Sequence, residues 1–92
     1  MIFQTNDGFK KTVMEVKEVE IYNSGMLFVN NHLIEAGDST FTKNVIERAY
    51  YQIRKAWIEG KPYICYDEIR GNIVNQLIKE AEEEKEIEAE NE

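Results

Sequence analysis

The chain has few of the residues on which most recognisable active sites depend. Its 92 residues include one cysteine and one histidine. A single cysteine, Cys65, excludes a disulfide within the chain and is typical of a reducing compartment. His32 lies next to a predicted turn and Cys65 lies in an apolar run, so neither has a sequence neighbour that would activate a nucleophile. We therefore interpret both as structural residues.

Motifs for ligands and metals are also missing. The five glycines are scattered, and they form neither a GxGxxG nor a GxxxxGK phosphate-binding loop. No Cys-x-x-Cys, His-x-x-x-His or EF-hand spacing occurs. We expect no catalytic residue, no cofactor and no metal ligand. Carboxylate-only chemistry stays open because carboxylates distant in sequence can meet in a fold, so a small ligand-binding or enzymatic module is retained as a minor alternative.

Long apolar runs are absent, since none approaches the roughly 20 residues that span a bilayer. The first eleven residues lack the basic-then-apolar order of a signal peptide. These features predict a cytoplasmic protein with no membrane partner. An abundance of Ile, Asn, Lys, Glu and Tyr with a single proline is typical of an AT-rich genome. We add the hypothesis of a phage or mobile-element (viral) origin.

The net charge of −7 is confined to one end of the chain. Residues 1–79 hold ten basic and ten acidic side chains, whereas residues 80–92 hold eight glutamates and one lysine. Glutamates four residues apart repel each other in a helix, and negative charge at a helix C-terminus opposes the helix dipole. We predict a single domain over 1–84 and a frayed acidic tail over 85–92. The tail has three open interpretations: a solubilising extension, a means of attracting a basic partner, or a mimic of a phosphate backbone.

Alternating apolar residues and turn signals fill the first half of the chain. They predict an antiparallel meander with strands over 2–5, 12–22, 26–29 and 32–35. Asn30 and Asn31 are expected to form a two-residue hairpin loop, because asparagine tolerates the positive φ that such loops need. Within residues 12–22 the apolar side chains switch from one face of the predicted strand to the other. A β-bulge near Lys17 and Glu18 would explain the switch, because one extra residue restores the facing.

Two amphipathic helices follow. The first is predicted from a cap among residues 38–40 to Gly60, and Trp57 on its apolar face is expected to be substantially buried. That face comprises Phe41, Val45, Ile46, Ala49, Tyr50, Ile53, Ala56 and Trp57. A short edge strand over 63–66 precedes a second helix that Asp67 is expected to cap. The apolar face of the second helix comprises Ile69, Ile73, Val74, Leu77, Ile78 and Ala81. The predicted fold class is therefore α+β, a small antiparallel β-meander followed by two amphipathic helices in a single domain.

Two apolar residues lie on the otherwise polar side of the first helix. Tyr51 and Ile58 are seven residues apart, which places them about 20° apart around the helix. Arg54 and Lys55 flank them, and an aromatic residue beside arginine is typical of interface centres. We predict Tyr51, Arg54, Lys55 and Ile58 as partner-binding residues. Two alternatives stay open: isolated exposed apolar residues are common, and another element of the chain could cover them.

These observations favour a small non-enzymatic protein-binding factor, an accessory or inhibitory protein that binds another protein or a second copy of itself as a homodimer. The alternative is a nucleic-acid-associated regulatory factor that uses the basic residues of the first helix. Those residues are Lys43, Arg48, Arg54 and Lys55. Glu47 and Glu59 lie among them, so we interpret this side of the helix as a mixed solvated surface and do not expect direct binding to nucleic acid.

Overall fold

The computed structural model describes the backbone of residues 1–6, 11–23 and 25–90, and the side chains of these residues as far as Glu84. A strand-rich first half precedes two helices in one α+β domain, which confirms the predicted fold class. The elements in chain order are β1 (Ile2–Asn6), β2 (Lys11–Glu15), β3 (Val19–Tyr22), β4 (Met26–Val29), β5 (His32–Ala36), α1 (Thr40–Ile58), β6 (Tyr63–Cys65) and α2 (Tyr66–Glu90). No helix in the described part of the chain is long and apolar enough to span a membrane.

The strands form two three-stranded sheets. The first sheet has the order β2-β1-β6, with β1 antiparallel to β2 and parallel to β6. The second sheet has the order β3-β4-β5 and is antiparallel throughout. β6 is therefore an edge strand of the first sheet, as the sequence predicts. The division between the sheets falls between β2 and β3, where the sequence predicts one bulged strand.

The side chain of Asn30 binds the backbone at the point where the chain passes from the first sheet to the second. Its Oδ1 accepts hydrogen bonds from the backbone N–H groups of Lys17 and Glu18, at 2.8 and 3.0 Å. Its Nδ2 donates to the carbonyl of Glu15 at 2.7 Å. The prediction of a β-bulge at Lys17 and Glu18 is wrong: the change of apolar phase marks the point where the chain leaves one sheet and enters the other. Asn30 satisfies backbone groups that a continuous strand would pair in its ladder.

Asn30 and Asn31 form the predicted hairpin loop between β4 and β5. Their φ angles are 51° and 65°, the positive values that a two-residue loop between twisted strands requires. The hairpin places Phe28 opposite Leu33, and a shift of register follows between Leu27 and Phe28.

The first helix buries the face that its period predicts. Its N-terminus is capped by Ser39, whose Oγ accepts the N–H of Thr42 at 3.1 Å. Five predicted residues are buried: Val45, Ile46, Ala49, Ile53 and Ala56. Tyr50 is half-buried. Phe41 and Trp57 lie at the two margins of the apolar arc and keep 46% and 37% of their surface exposed, so Trp57 borders the core and does not fill it.

Each sheet carries one helix. α1 packs on the second sheet, α2 packs on β1 of the first sheet, and the two helices pack on each other. Phe3 of β1 and Tyr66 of α2 meet in the core with ring centroids 5.9 Å apart. The second helix begins at Tyr66, one residue before the predicted cap. Asp67 therefore lies in the first turn, and its Oδ2 accepts the N–H of Asn6 at 2.9 Å.

The second helix leaves the body of the domain before it ends. Ile73 is buried, whereas Ile78 is 48% exposed and residues 81–84 are all exposed. A helix of 25 residues is about 37 Å long, and it accounts for overall dimensions of 52 × 27 × 25 Å. The backbone is helical to Glu90. The side chains of 85–90 and all of residues 91 and 92 lie outside the described residues, so the frayed tail over 85–92 stays a prediction.

Candidate protein-binding surfaces

The four residues predicted to bind a partner lie together on α1. Tyr51 and Ile58 are 56% and 75% exposed, and they lie roughly 180° around the helix from the centre of its buried face. Arg54 and Lys55 are exposed between them along the chain. No other element of the described chain covers these residues, which excludes the alternative that they are internal. We call Tyr51, Arg54, Lys55 and Ile58 the α1 outward face.

Charges of both signs surround this face. Lys43 is also exposed on α1, and Glu47 is half-buried. Lys55 Nζ lies 3.9 Å from Oε1 of the exposed Glu59. Arg48, one of the four basic residues considered for nucleic-acid binding, is directed to α2, where its Nη2 lies 3.3 Å from Glu80 Oε2. Arg48 is therefore engaged within the chain, and fewer of these basic residues are available to an anionic ligand.

A larger apolar surface lies on the outer face of the second sheet. Leu27 and Val29 are fully buried on its inner face. Since side chains alternate along a strand, Met26 and Phe28 lie on the opposite face. Cross-strand pairing places Tyr22 of β3 opposite Met26 and Leu33 of β5 opposite Phe28, so both belong to this outer face. We call this surface the apolar sheet face; its residues are Tyr22, Met26, Phe28 and Leu33.

The residues of the apolar sheet face contact one another. The rings of Tyr22 and Phe28 meet edge to face with centroids 5.3 Å apart. Tyr22, Met26 and Leu33 are 50%, 40% and 52% exposed, and Phe28 is half-buried. Because such side chains each have on the order of 150–250 Å² of surface, the group leaves roughly 300 Å² of apolar surface in contact with water. The largest apolar patch of a typical monomer measures about 300–600 Å² and is often functional, so this face has the size of such a patch.

Two polar groups lie on the outer face with these apolar side chains. Glu20 lies opposite Phe28 across β3 and β4. The Tyr22 hydroxyl donates a hydrogen bond to Glu20, and this bond, with the adjacent negative charge, raises the pKa of Tyr22. The outer face therefore presents apolar side chains with one hydrogen-bonded phenol and one carboxylate among them. Sequence reasoning missed this surface, although four consecutive apolar residues in β4 are a signal that both faces of the strand are apolar.

A polar cluster links β5 to α2. Glu35 Oε1 accepts from the Tyr66 hydroxyl at 2.5 Å and from Arg70 Nε at 2.8 Å, and Oε2 lies 3.0 Å from the same Nε. Burial and the hydrogen bond to Glu35 raise the pKa of Tyr66 far above its ordinary value. The hydrogen bond to Glu35 also raises the pKa of Arg70. These groups satisfy one another, so we assign the cluster to holding α2 against the second sheet.

The residues considered for chemistry lie apart in the fold. His32 is exposed at the start of β5, and Cys65 is half-buried at the end of β6. Among the described residues, no group of three or more His, Cys, Asp or Glu side chains is arranged to hold a metal ion. A shallow depression over the sheet junction is lined by Glu15, Lys17, Glu18, Asn30 and Asn31. The polar atoms of Asn30 there already bond to the backbone.

In the described part of the chain, large apolar side chains are exposed on α1 and on both sheets. The group on the first sheet comprises Ile2, Val13 and Tyr63, which are 38%, 60% and 49% exposed. The α1 outward face carries Arg54 and Lys55, whereas the apolar sheet face has the carboxylate of Glu20 beside it. Comparisons of the chain with protein-family models, with curated proteins and with solved structures found no match.

Proposed function

We propose that this chain is a small non-enzymatic protein-binding factor, an accessory or inhibitory protein, that binds its partner through the apolar sheet face. The observation that carries the proposal is the exposure of three large apolar side chains, Tyr22, Met26 and Leu33, around the half-buried Phe28. α1 seals the opposite face of the same sheet, so the outer residues are not needed for the core of the domain. A cytoplasmic location and a phage or mobile-element origin remain parts of the proposal, supported by the single cysteine and the composition.

The exposed apolar area of this face sets how much of an interface it can supply. Removing roughly 300 Å² of apolar surface from water contributes about 7 kcal/mol at 25 cal/mol per Å². Association itself costs an estimated 4–15 kcal/mol, so this gain needs the contacts of a surrounding border before it gives useful affinity. A standard interface buries about 800 Å² on each partner. The apolar sheet face therefore has the size of an interface centre.

The chemistry of the face defines the partner surface that would fit it. Its aromatic residues, Tyr22 and Phe28, are of the kind that dominate binding energy when they enter an apolar pocket. Glu20 lies on the same face, opposite Phe28; it accepts a hydrogen bond from Tyr22 and is available to a donor on the partner. We expect a protein partner with an apolar surface and a hydrogen-bond donor or a cation at its edge.

The test compares charge introduced at the centre of the face with charge introduced elsewhere. Tyr22→Lys combined with Leu33→Lys places two ammonium groups in the interface. Val13→Lys is the matched control, because Val13 is 60% exposed on the outer face of the first sheet. The partner is captured from the native source, identified by mass spectrometry and titrated calorimetrically against each variant. Circular dichroism confirms that each variant is folded.

The expected loss follows from the further burial of two side chains. Tyr22 and Leu33 are about half exposed in the free protein, so together they contribute about 1.5–3 kcal/mol on binding, and the double variant should bind at least tenfold more weakly. The control should change the affinity less than threefold. Equal binding by the wild type and the double variant would contradict the proposal.

A nucleic-acid-associated function is the second candidate, and the exposed cations Lys43, Arg54 and Lys55 favour it. Binding of this kind must weaken steeply between about 50 and 200 mM salt, because each phosphate contact releases counterions. Arg54→Glu with Lys55→Glu would abolish it. A gel shift that persists in this variant, or that is insensitive to salt, would exclude the cations as the origin of the binding.

A further inference from the structure

The α1 outward face and the end of α2 carry opposite charges. Around the apolar pair of Tyr51 and Ile58, Arg54 and Lys55 are exposed, and Lys43 lies further along the helix. Glu59 forms an ion pair with Lys55 at 3.9 Å, so cations exceed anions among these exposed residues, although both signs are present. Residues 80–92 carry eight of the eighteen acidic residues of the chain and a single lysine. We call residues 81–90 of α2 the acidic segment. Its described side chains, Ala81 to Glu84, are all exposed.

The acidic segment cannot reach the α1 outward face of its own chain. α2 packs beside α1, and an ion pair joins Glu80 to Arg48. The outward face points away from the core, on the side of α1 opposite its buried residues. A helix that continues past Glu80 carries the acidic segment about 15 Å further along its own axis, and does not turn back around α1.

We propose that the α1 outward face of one copy binds the acidic segment of a second copy, and that the reverse contact forms at the same time. Two such contacts related by a two-fold axis close a dimer. The charges select this arrangement. Two outward faces repel each other and two acidic segments repel each other, whereas the crossed pairing brings opposite charges together in both contacts.

The dimensions and the apolar content of the two surfaces also agree. Tyr51 and Ile58 are separated by about 10 Å along α1, and a segment of ten helical residues spans about 15 Å, which is enough to cover both. Ile78 and Ala81 are exposed at the base of the segment and supply apolar atoms for the contact. The proposal uses a different surface from the apolar sheet face, so it stands or falls separately from the proposed function.

Charge exchange between full-length variants tests the pairing directly. The face-reversed variant carries Arg54→Glu and Lys55→Glu, and the segment-reversed variant carries Glu82→Lys, Glu83→Lys and Glu84→Lys. Each variant alone pairs like charges in both contacts. In a one-to-one mixture of the two, both contacts pair opposite charges again. Sedimentation velocity at about 50 and 300 mM salt measures the dimer in each sample.

The wild type should dimerise at the lower salt concentration and at least tenfold more weakly at the higher one. Each variant alone should dimerise at least tenfold more weakly than the wild type, and the mixture should recover the wild-type affinity. Glu15→Lys, an exposed reversal on the first sheet, is the matched control and should leave the dimer unchanged. Recovery in the mixture requires two folded proteins, so unfolding of a variant cannot produce it.

Three results would overturn the proposal. These are a wild type that is monomeric at both salt concentrations, variants that dimerise as well as the wild type, and a mixture that stays monomeric although both variants are folded by circular dichroism. Dimerisation that survives charge reversal but is lost in Tyr22→Lys with Leu33→Lys would assign self-association to the apolar sheet face.

Discussion

Replacing Asn30 by glycine should destabilise the domain by removing the side chain that joins the two sheets. The amide of Asn30 makes three hydrogen bonds to backbone groups, with donor–acceptor distances of 2.7–3.0 Å. Glycine adopts the φ of 51° at this position without strain, so the hairpin loop itself should survive. The change therefore isolates the contribution of the side chain.

The size of the effect follows from the number and exposure of these bonds. A hydrogen bond contributes about 0.5–1.5 kcal/mol net, and three would contribute about 1.5–4.5 kcal/mol. Because the bonds lie near the surface and water can replace part of them, we expect a loss of about 2 kcal/mol in the free energy of unfolding. For a domain of this size that corresponds to a fall of about 8–16 °C in Tm. Urea denaturation followed by far-ultraviolet circular dichroism measures it.

Asn31→Gly is the matched control. Asn31 occupies the same loop with a φ of 65°, and within the described residues its side chain forms no hydrogen bond. This variant should change the free energy of unfolding by less than about 0.5 kcal/mol. Equal losses in the two variants would show that the loop, and not the amide of Asn30, determines stability. No loss in Asn30→Gly would refute the role assigned to the three bonds.

Three further predictions concern α2. The pKa of Tyr66 is raised in the folded state, so the contribution of Tyr66 to stability is complete below the unfolded pKa of about 10 and is lost as the pH rises above that value. Above pH 10 the free energy of unfolding should therefore fall more steeply in the wild type than in Tyr66→Phe, by up to about 1.4 kcal/mol per pH unit. Urea titrations at several pH values would show this difference. A methyl group at Gly71 meets no atom within 4 Å, so Gly71→Ala should raise the free energy of unfolding by about 1 kcal/mol, and a destabilised variant in thermal melts would reveal a close contact at this position. Removal of residues 85–92 should alter the free energy of unfolding by less than about 1 kcal/mol and Tm by a few degrees, whereas loss of cooperative unfolding on calorimetry would show that the tail is structural.

The helices were the most predictable part of the fold, because burial on one side leaves a period in the sequence. In α1 this period identified Val45, Ala49 and Ile53 as core residues, and all three are fully buried. The same pattern does not show how far the sheet beneath the helix extends, and so it does not show which residues at the margin of the apolar face are covered. Trp57, at the margin of the arc, was therefore assigned to the core although it keeps 37% of its surface exposed.

Strand pairing was less predictable, since hydrogen bonds between distant backbone groups leave no local pattern. The parallel pairing of β6 with β1 joins residues about sixty positions apart. The change of phase after Glu15 was visible in the sequence, yet a bulge and a passage between two sheets produce the same change. The deciding group is the amide of Asn30, which lies in a loop more than ten residues later.

Of the two candidate surfaces, one was predictable from the sequence and the other was not. Tyr51 and Ile58 were identified because they interrupt a polar helix side, and their exposure confirms that they face solvent. The apolar sheet face escaped prediction because its residues come from three strands. Met26 and Leu33 become neighbours of one patch only when the register of the sheet is known.

Methyl NMR of the complex shows whether the partner contacts the apolar sheet face. The methyl groups of Met26 and Leu33 report on this face, and those of Val13 report on the outer face of the first sheet. On addition of the partner, the signals of Met26 and Leu33 should shift or broaden while those of Val13 stay unchanged. Unchanged signals of Met26 and Leu33 in a saturated complex would contradict binding through this face.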